Sequence, residues 1–324
     1  MLQVLLVTFP FFALVLAGYL AARRGMLRLD AIPGLNSFVL YFALPCMLYR
    51  FGSTTPVEQL LNPGVFSTYL LCALVMVGFV VTVSLNRRIG WNDAAFGALV
   101  AAFPNTGFMG VPLLVALLGP AAAGPAIATI AVDLLVTSSL CVALSRLDGA
   151  GLHGMSVAAR NALRGVMVNP MPWAILLGAL ASWIHLELPV PVDQTVGLLA
   201  DAASPVALFT IGAVLARSQM IQPSEGAHPL PLRDYLPVAV IKLVLHPVLV
   251  LLVGIGAMQL GVAIDRFALT VIVLVAALPS ASNVSLLAER FGANTGRVAR
   301  IILISTAAAF VSFSAAVVLM VERS

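Results

Sequence analysis

Charge is scarce in this sequence. Only 9% of its 324 residues are Asp, Glu, Lys or Arg, where a soluble domain carries about a quarter. With 61% hydrophobic residues and a mean hydropathy of +1.07, the shortage excludes a water-soluble protein. Cysteine is also sparse. Cys46, Cys72 and Cys141 all lie in apolar stretches, which favours free thiols packed as small hydrophobes over a disulfide framework. The four histidines, His153, His185, His228 and His246, show no metal-ligand spacing with cysteine or with one another, so no metal site is expected. A glycine-rich phosphate loop is missing, so ATP hydrolysis and a resident cofactor are not expected. Nothing in the pattern suggests a nucleic-acid partner. The N-terminal apolar run has no basic residues ahead of it; Arg23, Arg24 and Arg28 follow it instead. A retained first span is expected rather than a cleaved signal.

What is present is long apolar runs. A helix needs about 20 mostly apolar residues to cross the hydrocarbon core. Ten runs qualify: about 2–22, 33–51, 63–85, 93–118, 122–145, 169–187, 191–216, 235–260, 266–290 and 296–321. With the N-terminus outside, the inside loops hold Arg23, Arg24, Arg28, Arg87, Arg88, Arg146, Arg160, Arg164, Arg217, Arg233, Arg290, Arg297 and Arg300. The outside regions hold only Arg50, Arg266 and Arg323. Basic residues concentrate on the cytoplasmic side of membrane proteins. The sequence therefore predicts an all-α integral membrane protein of ten spans with both termini outside.

The ten spans divide into five plus five. The first half is 1–145, a cytoplasmic linker occupies 146–168, and the second half is 169–324. ALPCML around Pro45 in span 2 is answered by ASPVALF around Pro205 in span 7. AAFPNTGFMG around Pro104 in span 4 is answered by AALPSASNVS around Pro279 in span 9. An odd number of spans per half inverts the second half. Matching helix breaks in two inverted halves point to a transporter site near the bilayer midplane. Proline removes a ladder donor and clashes with the preceding turn, so spans 4 and 9 are predicted to stop at Pro104 and Pro279. Asn105 and Thr106, and Ser280, Ser282 and Asn283, are residue types suited to cap the restarted halves. Gly107 and Gly110 permit a close crossing. If the two breaks cross, freed N–H groups and helix dipoles converge into an anion site. Asn105, Thr106, Gly107, Ser280, Ser282 and Asn283 are the candidate binding residues.

Ionisable residues inside spans are functional candidates. Asp133 lies midway along span 5, and Asp201 sits about two turns inside span 7. Lys242 and His246 share one face of span 8, four residues apart. Asp133, Asp201 and His246 are candidates for coupling or gating, with a proton or sodium ion as the coupling ion. Lys242 either attracts a carboxylate substrate, pairs with Asp133, or snorkels to the inside surface. Ser138, Ser139, Ser204 and Thr210 read as interhelical contacts, and the aromatics as packing.

PNTGFMGVPLL in span 4, LPSASNVSLLAERFGANTGRVARIILIST across spans 9 and 10, and FVLYFALPCMLYRF in span 2 resemble the auxin efflux carrier family. The likeness runs over essentially the whole chain. It implies a fold like that of PIN-type and bile-acid-transporter-type carriers, with spans 1, 2, 6 and 7 as a scaffold. Spans 3–5 and 8–10 would form a transport domain in which helices 4 and 9 cross. It further implies an elevator-type movement, a homodimer, residence in the plasma membrane (the inner membrane of a bacterium), and a small carboxylate such as malonate or malate as substrate. The expected function is a secondary active transporter of a small organic anion. An intramembrane enzyme, a channel and a sensory membrane protein are the alternatives.

Overall fold

The computed structural model describes residues 2–60, 62–147, 160, 164, 167–220 and 231–321. Most of the expected linker, with His153, and the segment holding His228 lie outside the described residues. The architecture is helical throughout. In chain order the helices that matter are α1 (Leu2–Arg23), α2 (Ile32–Thr54), α3 (Pro63–Ser84), α4 (Trp91–Ala102), α5 (Thr106–Leu118) and α6 (Pro120–Leu144). They continue as α7 (Pro170–Trp183), α8 (Val190–Met220), α9 (Leu236–Gln259), α10 (Arg266–Ala277), α11 (Val284–Arg290) and α12 (Thr295–Val321).

Seven helices among the described residues are long and apolar enough to cross a membrane. They coincide with seven of the ten expected spans. The other three expected spans contain shorter apolar helices, α5, α7 and α10. In the fourth and ninth, the shortening is a break: α4 is separated from α5, and α10 from α11. In span 7, Pro205 lies inside an uninterrupted α8. Its counterpart Pro45 instead follows a wide, π-helical turn at Val39–Ala43. Wide turns of this kind also occur at Thr106–Gly110, Asp133–Thr137 and Ile241–Leu245. Three of the four lie just ahead of a proline, Pro45, Pro112 or Pro247, whose missing N–H interrupts the regular ladder.

Local sequence explains where helices start and stop. Asn169 accepts a hydrogen bond from the Met171 amide at 3.0 Å, with Pro170 in the first turn. Asp265 does the same for the Ala268 amide and starts α10. Between α5 and α6 the chain turns at Gly119 with φ +89°, a conformation side chains disfavour.

The chain forms two compact units. The first comprises Met1–Pro63, Thr106–Ala128 and Asn169–Ile221; the second comprises Gly64–Asn105, Thr129–Val168 and Gln222–Ser324. The dividing points at 105/106 and 128/129 thus fall inside expected spans 4 and 5.

In the first unit α1 packs along α8, and α2 packs on α7 and α8. The α1–α8 crossing depends on small residues. A Cβ at Gly18 would strike the Phe209 carbonyl, and one at Gly212 would strike the Val15 carbonyl. Lipid is as apolar as the side chains, so helices here gain by close backbone approach rather than by expelling water. On α7, Trp173, Leu176, Leu177, Leu180 and Trp183 are exposed, as fits a surface solvated by acyl chains.

In the second unit α9 packs on α10 and α12, α10 on α12, and α4 on the last turns of α6. One end of this unit is locked by Arg297, only 2% exposed. Its Nε donates to the Asp234 carbonyl and its Nη1 to the Asp93 carbonyl, both at 2.6 Å. Asp93 Oδ1 accepts from the Asn294 amide at 2.7 Å, and Asn294 Oδ1 in turn accepts from the Arg297 amide. Gly97 makes room for this guanidinium; a Cβ there would lie 2.6 Å from Nη1. Arg297→Ala leaves two main-chain carbonyls without their donor, at about 1–3 kcal/mol each if they remain buried. The expected outcome is a thermal midpoint in detergent lowered by several degrees, with Arg297→Lys recovering only part of the loss. An unchanged midpoint in Arg297→Ala would mean that the latch does not hold this end.

Candidate functional site

Both predicted breaks exist, and they meet. α4 ends at Ala102 and Phe103 is extended; α10 ends at Ala277 and Leu278 is extended. The two released stretches pair as a single antiparallel bridge with Pro104 opposite Ser280. The Asn105 amide donates to the Pro279 carbonyl at 2.8 Å, and the Ala281 amide donates to the Phe103 carbonyl at 3.0 Å. In this register neither proline is asked for the N–H it lacks. Pro104 sits at a non-hydrogen-bonded position, and Pro279 contributes only its oxygen. The Ser280 amide is satisfied from α12, by Ser305 Oγ at 3.2 Å, and Ser305 Oγ donates to Ser280 Oγ at 3.1 Å.

This geometry revises two expectations. The amides of Asn105, Ser280 and Ala281 are not free for an anion, because the bridge and Ser305 use them. The expected caps do not form either. Asn283 stands at the cap position of α11 with helical φ and ψ and no side-chain bond, and α11 is only seven residues long. The side chains are instead left over. Asn105 is 2% exposed and Thr106 fully buried. Asn105 Oδ1, Thr106 Oγ1 and Asn283 Oδ1 are all buried without a hydrogen-bond partner. Buried polar atoms are nearly always paired, and an unpaired one costs about 1–3 kcal/mol. Asn105 and Asn283 lie one and three residues from the bridged pair, in the second unit. Ser280 and Ser282 are buried beside them. Thr106 and Gly107 begin the next segment of the first unit, where a Cβ on Gly107 would meet Met171 Cε at 3.0 Å.

The ionisable candidates divide. Asp201 is not in the interior: it pairs with Arg50 at 2.8 Å, and its side chain is 68% exposed. Asp133, Lys242 and His246 are all 0% exposed. Asp133 opens the wide turn in α6. Its carboxylate accepts from Thr137 Oγ1 at 3.1 Å and from the Tyr69 hydroxyl on α3 at 3.3 Å. Lys242 lies in the wide turn of α9. It does not snorkel, and no ion pair joins it to Asp133 among the described residues. Its Nζ donates to the Ala276 carbonyl at 2.9 Å and lies 3.0 Å from His246 Nδ1. His246 Nε2 has no partner, and its ring lies 6.1 Å from that of Tyr69, centroid to centroid.

A break-and-cross arrangement with spare carboxamides and buried ionisable groups is that of a membrane carrier. The family comparison agrees: residues 4–149 and 154–317 match the family described as membrane transport protein. The chain belongs to that family. A relative from Rhizobium meliloti, named "Putative malonate transporter", is 32% identical over 92% of this chain and 89% of its own length. An uncharacterized transporter of Escherichia coli is 27% identical over 88% of each chain. Auxin efflux carrier component 8 of Arabidopsis thaliana is 22% identical over 66% of this chain and 72% of its own. The resemblance to auxin efflux carriers is thus borne out. This membrane transport protein is a multi-pass transporter and not an enzyme.

Three residues of the site were not singled out from sequence. Tyr69, by sequence an ordinary packing aromatic, bonds Asp133, as does Thr137, and Ser305 bonds Ser280. Thr137 had a usable signal, four residues after Asp133 on one helix face. Ser138 and Thr210, expected to bridge helices, bond within their own helices to the carbonyls of Asp133 and Val206. Ser305→Ala removes the acceptor of a buried amide. It should increase hydrogen exchange at Ser280 and lower the thermal midpoint by a few degrees, consistent with about 1–3 kcal/mol. Unaltered exchange at Ser280 would show that the bridge stands without Ser305.

Proposed function

We propose that this membrane transport protein is a secondary active carrier of a small organic anion, a carboxylate such as malonate or malate. The observation that carries the reading is the pair of buried carboxamide oxygens without a partner, Asn105 Oδ1 and Asn283 Oδ1, flanking the bridge between the two broken helices. Each carboxamide has two N–H donors and an oxygen. The donors suit a carboxylate, which accepts only, and hydrogen bonds to a charged group contribute about 1.5–3 kcal/mol each. Ser280 and Ser282 are the neighbouring groups of the same unit that would complete the contacts. The printed name of the Rhizobium meliloti relative favours malonate.

The mechanism proposed is elevator-type, with the bridge-bearing helices carrying the anion as a body while the others stay fixed. In support, the first unit holds spans 1, 2, 6 and 7 and the second holds spans 3, 8, 9 and 10, with the second half of span 4 and the start of span 5 in the first unit. The positions of the basic loops support a plasma-membrane orientation with both termini outside. A homodimer is part of the same proposal, by likeness to the family. Asp201, held by Arg50 at an exposed position, is assigned a gating rather than an ion-carrying role. Lys242 has its amino group engaged with Ala276 and His246, so substrate binding is assigned to the carboxamides instead.

Purified protein in liposomes should take up labelled malonate saturably, with malate competing. Asn105→Ala and Asn283→Ala should each weaken malonate binding by about 10- to 100-fold, the range set by a charge-assisted hydrogen bond. Since Oδ1 of each is without a partner among the described residues, the thermal midpoint without substrate should hold or rise. Parental affinity in both variants would overturn the assignment of the site.

A further inference from the structure

A broken helix has two charged ends, and the bridge leaves one of them in need of a cation. α10 stops at Ala277, so its last carbonyls lack intrahelical donors and carry the negative end of the helix dipole. The Leu278 amide satisfies the Val275 carbonyl. The Ala276 carbonyl is satisfied by Lys242 Nζ at 2.9 Å. In secondary transporters, C-terminal ends of half-helices coordinate the coupling cation. Here a covalently attached ammonium stands at such an end.

The surroundings of this ammonium are unusual for lysine. Lys242 is wholly buried, and among the described residues no carboxylate lies within ion-pair distance of it. Its second contact is His246 Nδ1 at 3.0 Å, one turn along α9. His246 Nε2 is buried and unpartnered, an independent sign that the ring has a second function to perform. The wide turn of α9 packs against α4, α10 and α12. The ionisable groups on those helices are Asp93, Arg266, Glu289 and Arg290 on adjoining α11, Arg297 and Arg300. Of these Arg297 is engaged with main-chain oxygens, and Arg300 lies over the Tyr235 ring. From α3 and α6 come Tyr69, Cys72, Asp133 and Cys141, and Asp133 is the acid that acts on Lys242 electrostatically.

We propose that the Lys242 ammonium is a tethered substitute for a coupling metal cation at the end of α10, and that the carrier is driven by protons through the Lys242–His246 pair. The proposal rests on the carrier reading above and names its coupling ion. The step is a proton relay. Lys242 Nζ–H passes its proton to His246 Nδ1, while the proton on His246 Nε2 leaves to water. Lysine becomes neutral, histidine stays neutral in its other tautomer, and one proton is released. Reloading reverses each transfer. A proton arriving at Nε2 moves the Nδ1 proton back to Nζ and restores the positive charge at the Ala276 carbonyl. A fixed ammonium can be discharged only by proton loss, whereas a metal ion leaves whole. Sodium therefore has no place in the cycle.

The test uses the full chain in liposomes with an internal pH-sensitive dye. The parent should bind malonate, accumulate it when the outside is acidic, and move protons with it, with sodium replaceable by potassium without effect. His246→Gln retains an acceptor for Nζ but relays no proton. It should still exchange labelled for unlabelled malonate while losing gradient-driven accumulation at least tenfold. Lys242→Met should lose accumulation as well; if it does not fold, the parent and His246→Gln decide. Failure of the parent to bind either malonate or malate overturns the carrier reading, and this proposal with it. Malonate binding together with sodium-driven, pH-gradient-independent uptake overturns the proton proposal alone. Parental accumulation in His246→Gln overturns the relay.

Discussion

Two main-chain hydrogen bonds, Asn105 to Pro279 and Ala281 to Phe103, hold the functional end of the second unit together. Extended backbone at membrane depth survives only where its polar groups find partners in protein or water. The bridge meets that requirement with the fewest possible bonds. It places a residue without an N–H where none is needed and leaves one amide, that of Ser280, to be satisfied from α12 by Ser305. Everything else about the site follows from this pairing. The side chains of Asn105 and Asn283 are released from capping, and at the end of α10 the Ala276 carbonyl takes its donor from Lys242.

The breaks were legible because proline has a local and nearly unconditional effect on a helix. Pro104 and Pro279, each preceded by an apolar segment with two alanines and followed by small polar residues, marked both stops within a residue or two. The partners across the break were not legible. Whether Asn105 caps its own helix or leaves its carboxamide oxygen free depends on where the other stretch lies, and that is decided by contacts with residues 279–281, far along the sequence. The reading of Asn283 as a cap is ruled out by the tertiary structure, which leaves its carboxamide oxygen, like that of Asn105, without a partner.

The same distinction explains the ionisable residues. A carboxylate or lysine in an apolar run is conspicuous, so Asp133, Lys242, His246 and Asp201 were all found. Their surroundings were not. Asp201 faces outward and pairs with Arg50. Lys242 was close enough to a membrane edge to reach it by length alone, yet the wide turn at Ile241–Leu245 directs its amino group to α10. Tyr69 looked like any aromatic in a hydrophobic helix, and only the fold reveals that its hydroxyl is a donor to Asp133. Exposed apolar positions caused no such trouble, since a bilayer asks little more of them than that they be apolar.

The Arg297 latch has a consequence for how this family can vary. Its guanidinium bonds go to main-chain oxygens at Asp93 and Asp234, so the contact itself demands no particular side chain at those positions. The demand falls on volume instead. Gly97 lies against the guanidinium, and a methyl group there would force it to shift from the two carbonyls. Two residues 200 apart in the sequence are thereby linked by nothing more than occupied space.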